Sequence, residues 1–349
     1  MKGFRLVAAS ALGLARAACE KKSAPALATS APVVSEPAAS TPPPATPKPA
    51  APPAKSAPKF KVSTAPAPRE IWKEFSGEKA FEEVKRQVDL GPRPAGSAEL
   101  EQARALLIAS LENSGWEIER QEFSDNTPRG AVKFVNLIAR FAADGARPVP
   151  RATQRALVCS HYDTKRFSTI RFVGADDGAS STGALVELAR VLALDPALAA
   201  KIELVFFDGE EAFSQYTETD GLYGSRYYAG QLQATKRAAQ FKFGILWDMI
   251  GDRNLTITLS PDSPADLARD ILAAAEAQKL RENFGYYERP IYDDHIPLLR
   301  IARIPVIDLI DFDYPAWHTA DDTLDRIAPE SLQKIGIVTL YYLRKALGK

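Results

Sequence analysis

The stretch FFDGEEAF at 206–213 sets two carboxylates, Glu210 and Glu211, side by side at the end of a run apolar enough for a buried strand. One unpaired buried carboxylate is costly and two adjacent ones cost more, so a cation is expected at that strand end. Residues that could share it recur along the chain. His161 and Asp163 follow one apolar run, Asp208 precedes the two glutamates, and Asp248 ends a third run. Loops add GADDGAS with Asp176 and Asp177, YDDHIP with Asp293, Asp294 and His295, and YPAWHTADDT with His318, Asp321 and Asp322. All three histidines of the chain lie in these segments. Imidazole nitrogens and carboxylate oxygens are donors to zinc, and a catalytic zinc keeps one position open for substrate or water.

Taken singly, each motif has a plainer reading. ADDT at 320–323 looks like a solvated turn or a cap. Paired glutamates after a strand often open a helix, where the macrodipole favours them. His295, ahead of Ile296 and Pro297, could serve a backbone carbonyl, and Phe213, Tyr216, Tyr292, Tyr314 and Trp317 could be packing. Acids and imidazoles gathered at consecutive strand ends outweigh those readings.

Donors so far apart in sequence meet only if a fold brings strand ends together. EKAFEEVKRQVDLG and SAELEQARALLIASLENSG have helical apolar spacing, the second opening at Ser97 as a cap and closing at Gly115. WEIERQEF and AVKFVNLIARF alternate like half-exposed strands. RALVCSHYD, KIELVFFDGEE, FKFGILWDMIG and IPVIDLI read as buried strands ending in acid. SSTGALVELARVLAL and SPADLARDILAAAEAQK lie between them as helices, the latter capped by Ser263 with Pro264 in its first turn. PESLQKIGIVTLYYLRKAL closes the chain as a helix. Apolar strands alternating with helices predict an α/β fold, a three-layer α/β/α sandwich on a mixed, mainly parallel sheet. In such sheets ligands sit beyond the carboxyl ends of the strands.

The 349 residues carry 44 Lys plus Arg against 44 Asp plus Glu, so no net field draws nucleic acid or an anionic membrane. Residues 1–19 read as a signal peptide: Lys2 and Arg5 precede LVAASALGLA, too short to span a bilayer, and Cys19 follows as a candidate acylation site. Arg16 departs from the apolar residue usual in lipoprotein signals. Residues 20–68, rich in Ala and Pro, cannot offset their ordering entropy and read as a disordered tether. Residues 69–349 read as the folded domain expected to carry the catalytic groups. The expectation is an exported protein, periplasmic or membrane-tethered as a bacterial lipoprotein, and monomeric. With Cys19 acylated, Cys159 has no partner for a disulfide.

From about Glu70 onward the chain resembles glutaminyl cyclases (glutaminyl-peptide cyclotransferases) and, more distantly, the bacterial zinc aminopeptidases that share their fold. HYDTK, VGADDGAS, FFDGEEAF, DGLYGSRYYA, DMIG, DDHIPLLR and WHTADD carry the resemblance, in the cyclase order and nearly the cyclase spacing. It implies zinc held by Asp177, Glu211 and His318, with Glu210 as acid/base for cyclising an N-terminal glutamine to pyroglutamate with loss of ammonia. Asp248 and Asp293 match acids that bind the substrate amine and share protons with Glu210, and Trp317 matches an aromatic wall. Tyr216, Tyr292 and Tyr314 stand at further pocket positions where animal cyclases usually carry Trp, Gln and Phe. Asp308 stands where the animal pattern has His. The substrate would be a peptide or protein N-terminus.

The aminopeptidase reading uses the same residues. Those enzymes hold a second zinc through residues matching His161 and Asp248, bridged by Asp177, and both are present. The interval from GEEAF to LYGSR and the Trp before His318 favour the cyclase branch. One zinc would leave Glu210, Asp248 and Asp293 close together, at least one keeping a proton by mutual repulsion, whereas two zincs would make Asp248 a ligand. A third class, a tethered non-catalytic binding protein, has no use for a spare buried base such as Glu210.

Overall fold

The computed structural model describes residues 66–142 and 154–348. The signal, Cys19 and all but the end of the tether lie outside the described residues. Helix α1 (Gly77–Val88) is capped by Ser76, whose hydroxyl accepts from the Lys79 amide, and α2 (Ala98–Asn113) by Ser97, which accepts from Leu100. Strands β1 (Trp116–Thr127) and β2 (Gly130–Phe141) form a hairpin. Then come β3 (Arg155–His161), α3 (Ser181–Leu192), the single turn α4 (Pro196–Ala199) and β4 (Ile202–Phe207). Helix α5 (Tyr223–Ala234), β5 (Phe241–Asp248), β6 (Ile257–Leu259), α6 (Ala265–Ala277) and β7 (Phe284–Tyr286) follow. The chain closes through a short turn α7 (His295–Pro297), β8 (Val306–Ile310) and α8 (Pro329–Leu347).

The six-stranded sheet runs β1-β2-β4-β3-β5-β8. Strands β4, β3, β5 and β8 are parallel, while β2 joins β4 antiparallel and carries β1 at the edge. The predicted mixed, mainly parallel sandwich is therefore the architecture observed. Successive side chains of a strand serve opposite layers. Ala156 and Val158 of β3 pack with α1, α3 and α8, whereas Leu157 and Cys159 pack against α5 and the segment 298–304. Cys159 is buried and unpaired. Because β3 has β4 on one side and β5 on the other, the chain reverses winding direction there, and the crevice above β3 is the place for a ligand.

Two local expectations need correction. β2 is not half-exposed: Phe134–Ala139 are all buried, because helices cover both sheet faces at its inner position. Ser263 does not cap α6; Pro264 holds the cap position without a side-chain bond, and the Ser263 hydroxyl is buried without a partner. The parallel pair β6–β7 had no signal of its own in three-residue strands. It carries the chain to Pro290–Asp293. Among the described residues no helix is long and apolar enough to cross a membrane.

Candidate active site

Each strand end delivers one part of the site. His161 is the last residue of β3 and Asp248 the last of β5, while Glu210 and Glu211 lie just past β4. Asp177 sits in an irregular turn before α3, where Gly178 at φ 90° lets the backbone pass over His161. A Cβ at Gly178 would lie 2.7 Å from the Asp163 carbonyl oxygen and 3.1 Å from His161 Cε1, so only glycine fits without a shift. His318 arrives from the 311–328 loop in a left-handed conformation, φ 55°, its ring stacked on Trp317 at 4.3 Å and flanked by Phe167 and Phe172. Met249, next to Asp248, is left-handed as well. At these two positions the strained backbone is held by its surroundings.

Two triads of donors share Asp177. In one, His318 Nε2 lies 3.1 Å from Glu211 Oε1 and 3.3 Å from Asp177 Oδ2. In the other, His161 Nε2 lies 3.2 Å from Asp177 Oδ1 and 3.2 Å from Asp248 Oδ1. Donors on a tetrahedral zinc with bonds of about 2.0–2.1 Å stand roughly 3.4 Å apart, so both triads suit a metal. Asp177 Oδ2 is buried without a hydrogen bond, a cost a bound cation removes. The groups fit a divalent metal in their donor types, burial and spacing.

Supporting acids hold this geometry. Asp163 accepts from the Glu210 and Glu211 amides at 3.1 and 3.4 Å. Asp322 accepts from the Asp176 and Asp177 amides at 2.8 and 3.1 Å and from the Tyr314 hydroxyl at 2.9 Å. Asp176 in turn accepts from Gly251, tying the turn to the end of β5. Asp321 is exposed as a surface turn residue should be, but Asp322 is fully buried, so ADDT is not simply a solvated turn.

Burial, and then the neighbouring Glu211, keep the Glu210 carboxyl well above its ordinary range, the property of a proton carrier near neutral pH. Burial pushes Asp248 up to about 7 against the pull of His161, and raises Asp293 too. Desolvation rather than mutual repulsion is the main cause of all three shifts. For Asp177, burial is outweighed by His161 and His318, which hold it below its ordinary value. Lys165 also lies on Glu211, 3.1 Å from Oε2, a contact that sequence reading did not anticipate.

A cavity of about 270 Å³ opens over Asp177, Glu210, Asp248 and Asp293, walled by Tyr216, Tyr292, Phe312 and Trp317. Tyr314 does not line it. That ring is buried in the cluster with Met249 and Ile310, and its hydroxyl serves Asp322. Asp208 also stays out, accepting from Arg104 at 2.9 Å and from the Val135 amide at 2.8 Å. His295 serves no carbonyl; it is buried 3.5 Å from Asp308 and 3.7 Å from Asp262, with neither ring nitrogen hydrogen-bonded.

The profile of peptidase family M28 matches residues 136–343, which hold both triads and Glu210. The chain belongs to peptidase family M28. It is 32% identical over 287 residues to a glutaminyl-peptide cyclotransferase-like protein of Bos taurus, covering 73% of this chain and 72% of the relative. The glutaminyl cyclase of an Acidobacteriales bacterium superposes with a TM-score of 0.71 at 30% identity, over 84% of this chain and 99% of its own. A Zn-dependent exopeptidase from Parabacteroides distasonis gives 0.70 at 25% identity, over 79% and 99%. Solved structures of both chemistries weighed from the sequence thus share this fold, and the similarity to cyclotransferases over 73% of the chain makes it an enzyme of that branch.

Proposed function

We propose that this protein is a zinc-dependent glutaminyl-peptide cyclotransferase, converting the N-terminal glutamine of peptides or proteins to pyroglutamate with release of ammonia. The observation that carries the reading is one small aromatic-walled cavity lined by a spare glutamate, Glu210, and two further buried acids, Asp248 and Asp293, beside the Asp177–Glu211–His318 triad. Zinc held by that triad would supply Lewis acidity toward the glutamine side-chain carbonyl.

The remaining work belongs to side chains. Asp248 and Asp293 receive the substrate α-amine, and Trp317, Tyr216 and Tyr292 confine the glutamine chain so that the amine faces the amide carbon. Glu210 takes a proton from the attacking amine and gives it to the departing amide nitrogen, which leaves as ammonia. One C–N bond forms, one breaks, and the proton taken from the amine leaves with the ammonia. Attack is intramolecular, so holding the ring-forming conformation supplies much of the rate. We further propose export by residues 1–19 and a tether over residues 20–68, carrying the enzyme outside the cytoplasm as a monomer.

The second triad favours one alternative, a di-zinc aminopeptidase in which His161 and Asp248 hold the second metal. Two substrates separate the readings. A Gln-initiated peptide should lose ammonia with its chain intact, and a leucine arylamide should remain uncleaved. Arylamine release without ammonia would overturn the proposal in favour of the peptidase.

A further inference from the structure

The loop after the paired glutamates holds one side chain in a single place. Asp220 accepts from the amides of Phe213, Ser214 and Gln215, closing the loop on itself. Gly221, at φ 96°, lies under the Tyr216 ring, where a Cβ would come within 2.7 Å of it. Tyr292 packs edge-on against that ring and donates to the Thr217 carbonyl. Lys165 lies over the ring, 4.7 Å from its centroid. The result is a phenol aimed at both glutamates, with its oxygen 2.9 Å from Glu210 Oε2 and 2.8 Å from Glu211 Oε2.

We infer that Tyr216 is a positioning residue, whose hydroxyl fixes the spacing between the acid/base Glu210 and the metal-ligand candidate Glu211. Adjacent glutamates on one loop point their carboxylates independently, each with three side-chain torsions to restrain. A hydroxyl carries one proton and two lone pairs, so it can join both carboxyl groups in either protonation state of Glu210. When Glu210 holds the proton, its carboxyl donates to the phenol oxygen and the phenol donates to Glu211. When Glu210 has given the proton up, the phenol proton is shared between the two. Either way the Glu211 oxygen turned away from His318 is occupied, which leaves Oε1 toward the triad. Outer partners of metal ligands act in this manner, setting ligand orientation without touching the metal.

The inference rests on the role proposed above for Glu210, and Tyr216→Phe in the full chain tests it without disturbing the ring packing. Zinc affinity, read by chelator competition, should weaken by about tenfold. For a Gln-initiated peptide, kcat should fall by roughly 10- to 100-fold while KM stays within about twofold. The metal-free protein should unfold only about 2–4 °C below the wild type, since the ring packing is kept and one hydroxyl's hydrogen bonds are lost. Wild-type zinc affinity in the variant overturns the inference whatever activity is found. A loss confined to KM overturns it too, since that is the mark of a pocket wall. If the wild-type enzyme releases no ammonia at all, the cyclase reading fails, and the zinc competition still decides whether Tyr216 orients Glu211.

Discussion

At the scale of single residues, the site collects groups whose protons are displaced from their ordinary equilibria, and this has a measurable consequence. Burial works against a charge on His318, yet Glu211 and Asp177 outweigh it and push the imidazole up to about 10. His161 is likewise raised, by Asp248, Asp163 and Asp177 against the opposing effect of burial. Without a cation, both rings hold protons to offset the carboxylates. A metal needs the neutral imidazole, so binding below the raised value releases a proton from each histidine it engages. The sign follows: apparent zinc affinity rises with pH, about tenfold per unit between roughly pH 6 and pH 8 for one histidine engaged, and more steeply for two. Chelator competition across that range checks this, and its slope reports how many protons the bound metal displaces. An affinity independent of pH would contradict the arrangement.

Between elements, the acids that never touch the cavity do the holding. Asp322 links the loop bearing His318 to the turn bearing Asp177, and Asp163 links the end of β3 to the paired glutamates after β4. Asp322→Ala should strand two buried amides, costing about 2–4 kcal/mol in stability and weakening metal binding by roughly 10- to 100-fold. Urea unfolding of the metal-free protein and chelator competition measure the two losses, and a variant as stable as wild type would refute the linkage. His161, Glu210, Glu211 and Asp248 were readable in the sequence because runs of continuous apolar residues end in them, whereas Asp177, Asp293 and His318 lie in loops and were singled out by the motifs shared with the cyclases. Asp322 was not readable, since an Asp-Asp pair in a polar loop gives the same signal whether it faces water or a buried turn. Tyr314 was misplaced for a related reason: type and loop position are visible in a sequence, but the direction in which a ring turns is set by the Asp322 carboxylate it meets. The parallel sheet and its helices were legible because their periodicities extend over many residues, whereas β6 and β7 are too short to have one.

For the molecule as a whole, four parallel strands bring distant segments to one edge, and the loops above them complete a cavity that no single segment contains. Equal numbers of acidic and basic side chains leave little net field, so the enclosed acids rather than overall charge set what the site attracts. In the proposed mechanism Asp177, Glu211 and His318 hold the metal and Glu210 alone transfers the proton. The most direct test is the rate of ammonia release from a Gln-initiated peptide by Glu210→Gln, with zinc content verified equal to that of wild type. The predicted result is a rate lowered by about a hundredfold to ten-thousandfold at undiminished metal occupancy; a rate within a few-fold of wild type would contradict it.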